Sequence, residues 1–240
     1  MDNLRKLILE KSFEAGACHI GSALSCVDIV KEIYDILGED VFIFGKASGA
    51  AALYCVLAER GIIEETRLAY YLKYYPLSSK EVPGVVHSVG SLGHALPVAA
   101  GLALGNRGRK VYALISDGEC QEGTTYETAL FAKQHKLDNL FVIVDANGFQ
   151  ALGRTDDILN LETAFEFLGK CFANFDVRRT IKGQGVPFME NNNDWHYRNL
   201  TKEDFVIEVL EIIPLAPQTT STILNPPAFS PANSCFSRLL

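Results

Sequence analysis

Residues 111–147 read VYALISDGECQEGTTYETALFAKQHKLDNLFVIVDAN. The runs VYALIS (111–116) and LFVIV (140–144) are short, apolar throughout and rich in β-branched residues, which suits strands buried on both faces. Between them, residues 122–136 carry a helical pattern. Strand, helix, strand is the unit of a parallel sheet covered by helices, so the chain reads as α/β. Ligands of such sheets sit beyond the carboxyl ends of the strands. Asp117-Gly118-Glu119 and Asp145-Ala146-Asn147-Gly148 both fall there.

Outward from this unit, the first third reads as helices. One covers residues 2–15, a second follows Ser25 and carries Val27, Ile29, Val30, Ile33, Tyr34 and Leu37, and a third covers 50–60 and stops at Gly61. A glycine-rich stretch, GSLGHALPVAAGLALG (90–105), enters a helix of small residues able to pack closely. Beyond Asp156 the pattern gives a helix at 161–168, a strand at 175–178, the polar loop IKGQGVPFMENNNDWHYRNL (181–200) and a last helix from about Lys202. From Pro214 the composition turns to Pro, Thr, Ser and Asn. Residues 1–213 are therefore read as one domain and 214–240 as a poorly ordered tail.

Composition excludes several classes. With 240 residues, 48% of them hydrophobic and 21% charged, the chain can bury a large core. Its net charge of −7 argues against sequence-independent nucleic-acid binding, which needs a basic surface. A phosphate-bearing ligand must then be held by local donors or a metal. The six cysteines show no C-x-x-C pair and no zinc spacing, so they read as buried small hydrophobes of a reducing compartment. The N-terminus is amphipathic, without a signal-peptide core, and no apolar run is long enough to span a bilayer. A cytoplasmic protein is expected.

Asp117 and Asn147 end two strands that the intervening helix makes neighbours. A carboxylate, an amide oxygen and a backbone carbonyl suit Mg²⁺, which completes its octahedron with phosphate oxygens and water. Taken singly, Asp117 is equally well a helix N-cap and Asn147 a turn residue before Gly148. Dinucleotide binding lacks its G-x-G-x-x-G with a downstream acid, and no G-x-S-x-G elbow is present.

The segment SDGECQEGTTYETALFAKQHKLDNLFVIVDANGFQALGRTDDI (116–158) resembles the thiamine diphosphate signature of the transketolase family. The resemblance covers about residues 5–210 and implies a three-layer thiamine-diphosphate-binding fold. It makes Asp117, Asn147 and the carbonyl of Phe149 the Mg²⁺ ligands. Gly118 is then a diphosphate contact and Glu119 a further cofactor residue. His19-Ile20-Gly21-Ser22 resembles an early histidine motif, and Gly90-Ser91-Leu92-Gly93-His94 the loop over the thiazolium and diphosphate. Lys182-Gly183-Gln184-Gly185 and Trp195-His196 match a lysine-glycine motif and a later histidine. His19 and His196 are accordingly the candidate catalytic residues. Gly90, Ser91, Leu92, His94 and Lys182 are expected at the cofactor, and Glu122 and Glu127 at a partner. Without the resemblance, His19 reads equally as satisfying a core group, and His87 and His135 as solvated.

Four departures stand beside it. Ser116 replaces the signature's first glycine. The S-K-G-H-A motif is replaced by Lys46-Ala47-Ser48-Gly49-Ala50, read with an alanine in the histidine's position, and a G-H-P histidine gives way to Tyr75-Pro76-Leu77. After the strand at 175–178, a helix and a strand are missing before Lys182, so a shortened sheet is expected. The family's activating glutamate lies on a separate pyrimidine-binding domain, for which 240 residues leave no room. The resemblance thus implies the diphosphate-binding subunit of a split transketolase, in a dimer of heterodimers with a pyrimidine-binding subunit, moving a two-carbon ketol unit between sugars or sugar phosphates. The alternatives are a degenerate subunit without catalysis and a thiamine enzyme of another reaction type.

Overall fold

The computed structural model describes residues 2–205. The tail read at 214–240, Cys235 and any part of the expected last helix beyond residue 205 lie outside the described residues.

Four parallel strands form the sheet in the order β1 (Val41–Phe44), β2 (Val111–Ser116), β3 (Leu140–Ala146) and β6 (Asn174–Arg179). Alternate residues serve opposite faces. Phe42, Phe44, Tyr112 and Leu114 meet α1 (Asn3–Ala15), α2 (Ile20–Ile36), α3 (Ala50–Glu59) and α4 (Leu68–Tyr74) in one core. Ile43, Val111, Ala113, Ile115, Val142 and Val144 meet α5 (Ala95–Gly105), α6 (Gly123–His135) and α8 (Glu162–Cys171) in the other. Cores on both faces are why the central strands show no polar alternation. The layers are helix, sheet, helix, as expected of the three-layer α/β class.

The ends of these elements follow local chemistry. Asp2 caps α1 by accepting the Arg5 N–H at 2.9 Å, and α1 stops at Gly16, whose φ of 61° is left-handed. Arg5 is almost fully buried, and its guanidinium grips both oxygens of Asp28 on α2, at 3.0 and 2.6 Å. In α5, Ala95, Ala99 and Ala103 repeat every four residues on the buried side, where small side chains let the helix lie close to β2. A small antiparallel hairpin, β4 (Phe149–Gln150) with β5 (Gly153–Arg154), and a short α7 (Thr155–Ile158) lead from β3 to α8. The chain closes, within the described part, with α9 (Lys202–Phe205).

Besides α4, the β4–β5 hairpin and α7, which the sequence reading does not contain, β1 and the start of α2 differ from it. Strand β1 interrupts a first third read as helices only, because four residues are too few to show a period. Helix α2 begins at Ile20 rather than after Ser25: Gly21, Ser22 and Ser25 are poor helix formers, but all are buried and packing overrides propensity. The shortened sheet is as expected: β6 pairs with β3 alone, and Thr180, donating its N–H to Ala146 at 3.2 Å, leads at once into the loop of Lys182. Among the described residues no helix is long and apolar enough to cross a membrane.

Candidate functional site

Register places the site. Ser116 lies level with Asp145, so the loops after β2 and β3 leave the sheet side by side. Gly148 donates its N–H to Asp117 Oδ2 at 2.6 Å and Gly118 donates to Oδ1 at 3.0 Å. Asn147 Oδ1 accepts the Phe149 N–H at 3.0 Å. Gly148 has φ 80°, a conformation that favours glycine at this turn. Asp117 and Asn147 are 1% and 5% exposed and do not themselves line the neighbouring cavity of about 260 Å³, whose walls include the residues that follow them, Gly118 and Phe149.

His19, Gly90, Ser91, Leu92, Gly118, Glu119, Phe149 and His196, all expected at the site, line this cavity. His19 adopts φ 65° at the start of α2 and accepts the Ser22 N–H on its carbonyl at 3.0 Å, which turns its ring into the cavity wall. That ring stands edge-on to His196, centroids 5.0 Å apart, and the His19 N–H bonds the His196 carbonyl at 3.1 Å. Lys182, 1% exposed, does not line the cavity itself. It holds His196 from behind, Nζ to Nδ1 at 3.1 Å, and donates to Asn193 Oδ1 at 2.5 Å. With Nδ1 accepting from lysine, the His196 proton belongs on Nε2. His94 is elsewhere: it is exposed, its Nδ1 faces the Leu92 carbonyl at 3.0 Å, and it does not line the cavity. Glu122 and Glu127 are not among the cavity's lining residues.

The sequence reading passed over Ser22, Lys46, Ser48, Gln150 and Tyr197, which also line the cavity. Lys46 was legible, since it stands in the motif already compared. Counting that motif from Lys46, its fourth place falls on Ser48 and not on an alanine, a correction that leaves a hydroxyl where the family has an imidazole. Of Tyr75-Pro76-Leu77, which stand in place of the G-H-P motif, Leu77 is an apolar piece of the wall.

Burial governs the charges. It pulls His19 down to about 4 and His196 down to about 3, with the Lys182 charge adding to both, so both imidazoles are neutral at pH 7. Burial and then Lys46 bring Lys182 down to about 7. Burial lifts Asp117 to about 6 against the pull of Lys46, and lifts Glu119 to about 7. Lys46 is held well above its ordinary value: burial opposes its charge, but the carboxylate of Asp145, 2.8 Å away, outweighs it.

One carboxylate, one amide oxygen and backbone carbonyls are hard oxygen donors, and among the described residues no group of three or more His, Cys, Asp or Glu side chains is placed to hold a metal. That favours an ion completed by ligand oxygens, as Mg²⁺ is, over a zinc-type cage. Buried Glu119 Oε1 has no hydrogen-bond partner, while Oε2 takes the Ser116 N–H at 2.7 Å. These oxygen donors suit a cation carried by a diphosphate, and Leu77, Leu92 and Phe149 give the cavity an apolar wall that fits a flat ring.

Comparison with known proteins agrees. The family described as thiamine pyrophosphate enzyme, C-terminal TPP binding domain, matches residues 68–205. An apulose-4-phosphate transketolase subunit of Actinobacillus succinogenes is 35% identical over 255 positions, taking in 86% of this chain and 91% of that protein. The chain belongs to the transketolase family. A 6-deoxy-6-sulfo-D-fructose transketolase subunit of Clostridium sp. is 27% identical and is covered to 93% of its length. In fold, the chain resembles solved transketolases of Pichia stipitis (TM-score 0.72, 17% identity) and Campylobacter jejuni (TM-score 0.68, 20% identity). It spans 38% and 43% of those chains, against 84% and 88% of itself, so this transketolase-family chain matches in length the proteins named as subunits.

Proposed function

We propose that this chain is the diphosphate- and Mg²⁺-holding subunit of a two-chain transketolase that moves a two-carbon ketol unit between sugar phosphates. The observation that carries the proposal is the Gly148 N–H bond to Asp117 at 2.6 Å, which locks the two strand-end loops together beneath a cavity walled by His19 and His196. Asp117, Asn147 and the Phe149 carbonyl would hold Mg²⁺, and the Gly118 N–H would meet the diphosphate. Gly90, Ser91 and Leu92 would cover it. Thiamine diphosphate, when bound, supplies the electron sink for breaking and remaking the bond next to a ketose carbonyl.

The chain's own residues orient the substrate and handle protons. His19 and His196, neutral and adjacent, offer a sugar hydroxyl one proton donor and one acceptor. Lys182, poised near neutrality, fixes the His196 tautomer. Ser48 supplies a hydrogen bond at the mouth where an imidazole is absent, and Leu77 narrows the choice of substrate on its side.

A pyrimidine-binding subunit would close the cavity and bring the activating glutamate, with Glu122 and Glu127 facing it, in a dimer of heterodimers located in the cytoplasm. The subunit names of the relatives support this. So does the match in length. The binding domain is taken as residues 1–213.

Calorimetry tests the site: thiamine diphosphate with Mg²⁺ should bind the chain paired with its pyrimidine subunit, and Asp117→Ala should abolish binding. Retention of full affinity by Asp117→Ala would sink the proposal. Ketol transfer by the complex separates a working enzyme from a cofactor-binding scaffold, the reading that the loss of the G-H-P histidine favours. Binding without transfer from any ketose phosphate donor would establish the scaffold.

A further inference from the structure

Beside the cavity lies a cluster of polar groups, of which Lys46 lines the cavity while Asp145, Ser25 and Thr180 do not. Asp145, at the end of β3, is 0% exposed. Its Oδ2 takes Lys46 Nζ at 2.8 Å and the Ser25 hydroxyl at 2.7 Å, and its Oδ1 takes the Thr180 hydroxyl. Ser25, 1% exposed on α2, also meets Asn147 Nδ2 at 3.2 Å. Three segments distant in sequence therefore converge on one carboxylate.

The proton count in this cluster has one solution. Asp145 is ion-paired with Lys46 at 2.8 Å, and a carboxylate in such a pair only accepts. The Ser25 hydroxyl has a single proton. The Ser22 carbonyl at 3.1 Å competes for it, but the carboxylate is nearer and charged, so the proton goes to Asp145. Ser25 Oγ is left able only to accept. The Asn147 group facing it must then be the NH₂, and the amide oxygen must face the other way, toward the Phe149 N–H. An amide is nearly the same shape either way round, so shape alone would not choose.

We infer that Asp145 is a positioning residue for the metal, fixing through Ser25 the orientation in which Asn147 presents its oxygen, with Thr180 as the other arm of the same clamp. The inference rests on the reading that Asn147 is a metal ligand. Thr180 reaches Asp145 because β6 runs straight into the loop of Lys182, so the shortened connection itself supplies the second hydroxyl. Partners behind a ligand commonly govern metal affinity by one to two orders of magnitude.

The test is Mn²⁺ binding to the full-length chain in the presence of inorganic diphosphate, read by electron paramagnetic resonance, with thermal midpoints measured alongside. Ser25→Ala should weaken Mn²⁺ by roughly 10-fold to 100-fold. Thr180→Val, which keeps the shape and removes the donor, should weaken it in the same direction, and Thr180→Ser, which keeps the donor, should bind as wild type. A purely structural role would lower the thermal midpoint and leave Mn²⁺ affinity unchanged. If Asp117→Ala loses Mn²⁺ while Ser25→Ala and Thr180→Val bind it normally, the clamp is overturned and the metal site stands. If Asp117→Ala binds Mn²⁺ as wild type does, the metal site and the clamp fall together.

Discussion

Lys46 and Asp145 form an ion pair with side chains only 3% and 0% exposed, and its energetics are asymmetric. Removing both charges can be nearly neutral, because two desolvation costs vanish with the attraction. Removing one leaves the other buried without compensation. Lys46→Met should therefore cost roughly 3–5 kcal/mol in urea unfolding, and Lys46→Met with Asp145→Asn clearly less than that. If the double variant is as unstable as the single one, the pair is not the source of the loss. The same residues show what sequence could and could not give. Asp117 and Asn147 were legible because each ends a strand whose neighbour was legible too. Asp145 stood two positions from Asn147 and was passed over, since its partners Ser25, Lys46 and Thr180 are scattered over more than 150 residues and only the fold brings them together.

At the scale of elements, the loop after β6 carries His196 and Tyr197 of the cavity wall and Lys182 beside them, and one glycine determines its path. Gly183 has φ 80°, and a Cβ there would stand 2.4 Å from the Met189 carbonyl oxygen. Backbone cannot yield as a side chain can, so Gly183→Ala should destabilise by about 2 kcal/mol or more and loosen Lys182 and His196. Gly101 is the contrast: it lies within α5, and a Cβ would meet nothing within 4 Å. Gly101→Ala should raise the stability of the isolated chain by roughly 0.5–1 kcal/mol. Equal effects of the two substitutions on the thermal midpoint would refute the argument. Elements with a clear period or a double-sided apolar run, α1, α3, α6, β2 and β3, were readable within a few residues. Strand β1 and the start of α2 were not, because four residues show no period and because tertiary burial, absent from the local sequence, sustains a helix of poor formers.

For the whole molecule, the buried titratable groups of the site act on stability in opposite directions. His19 and His196 bind protons in the unfolded chain from an ordinary value of 6.5 down, but in the folded chain only near 4 and 3, so acid withdraws stability as pH falls through 6.5. Asp117 and Glu119 do the reverse in the metal-free chain. Their folded values near 6 and 7 lie above the ordinary 3.8 and 4.5, so the folded chain binds the extra protons and gains stability as pH falls through 7. The windows overlap and the proton counts nearly match, so these four groups leave metal-free stability almost flat between about pH 4.5 and 6.5. Lys182 is uncompensated above that range: unfolded it keeps its proton toward 10.5 and folded only to about 7, so stability climbs from pH 7 toward about 8.5. Glu119→Gln removes one of the two carboxylate arms and should expose the histidines, making stability fall by about 1 kcal/mol per pH unit on acidification from about 6.5 to 5. Lys182→Met should flatten the climb above pH 7. Urea midpoints taken in a chelator across about pH 4.5–8.5 read both slopes, and a Glu119→Gln profile parallel to wild type on the acid side would show that the four groups are not in opposition.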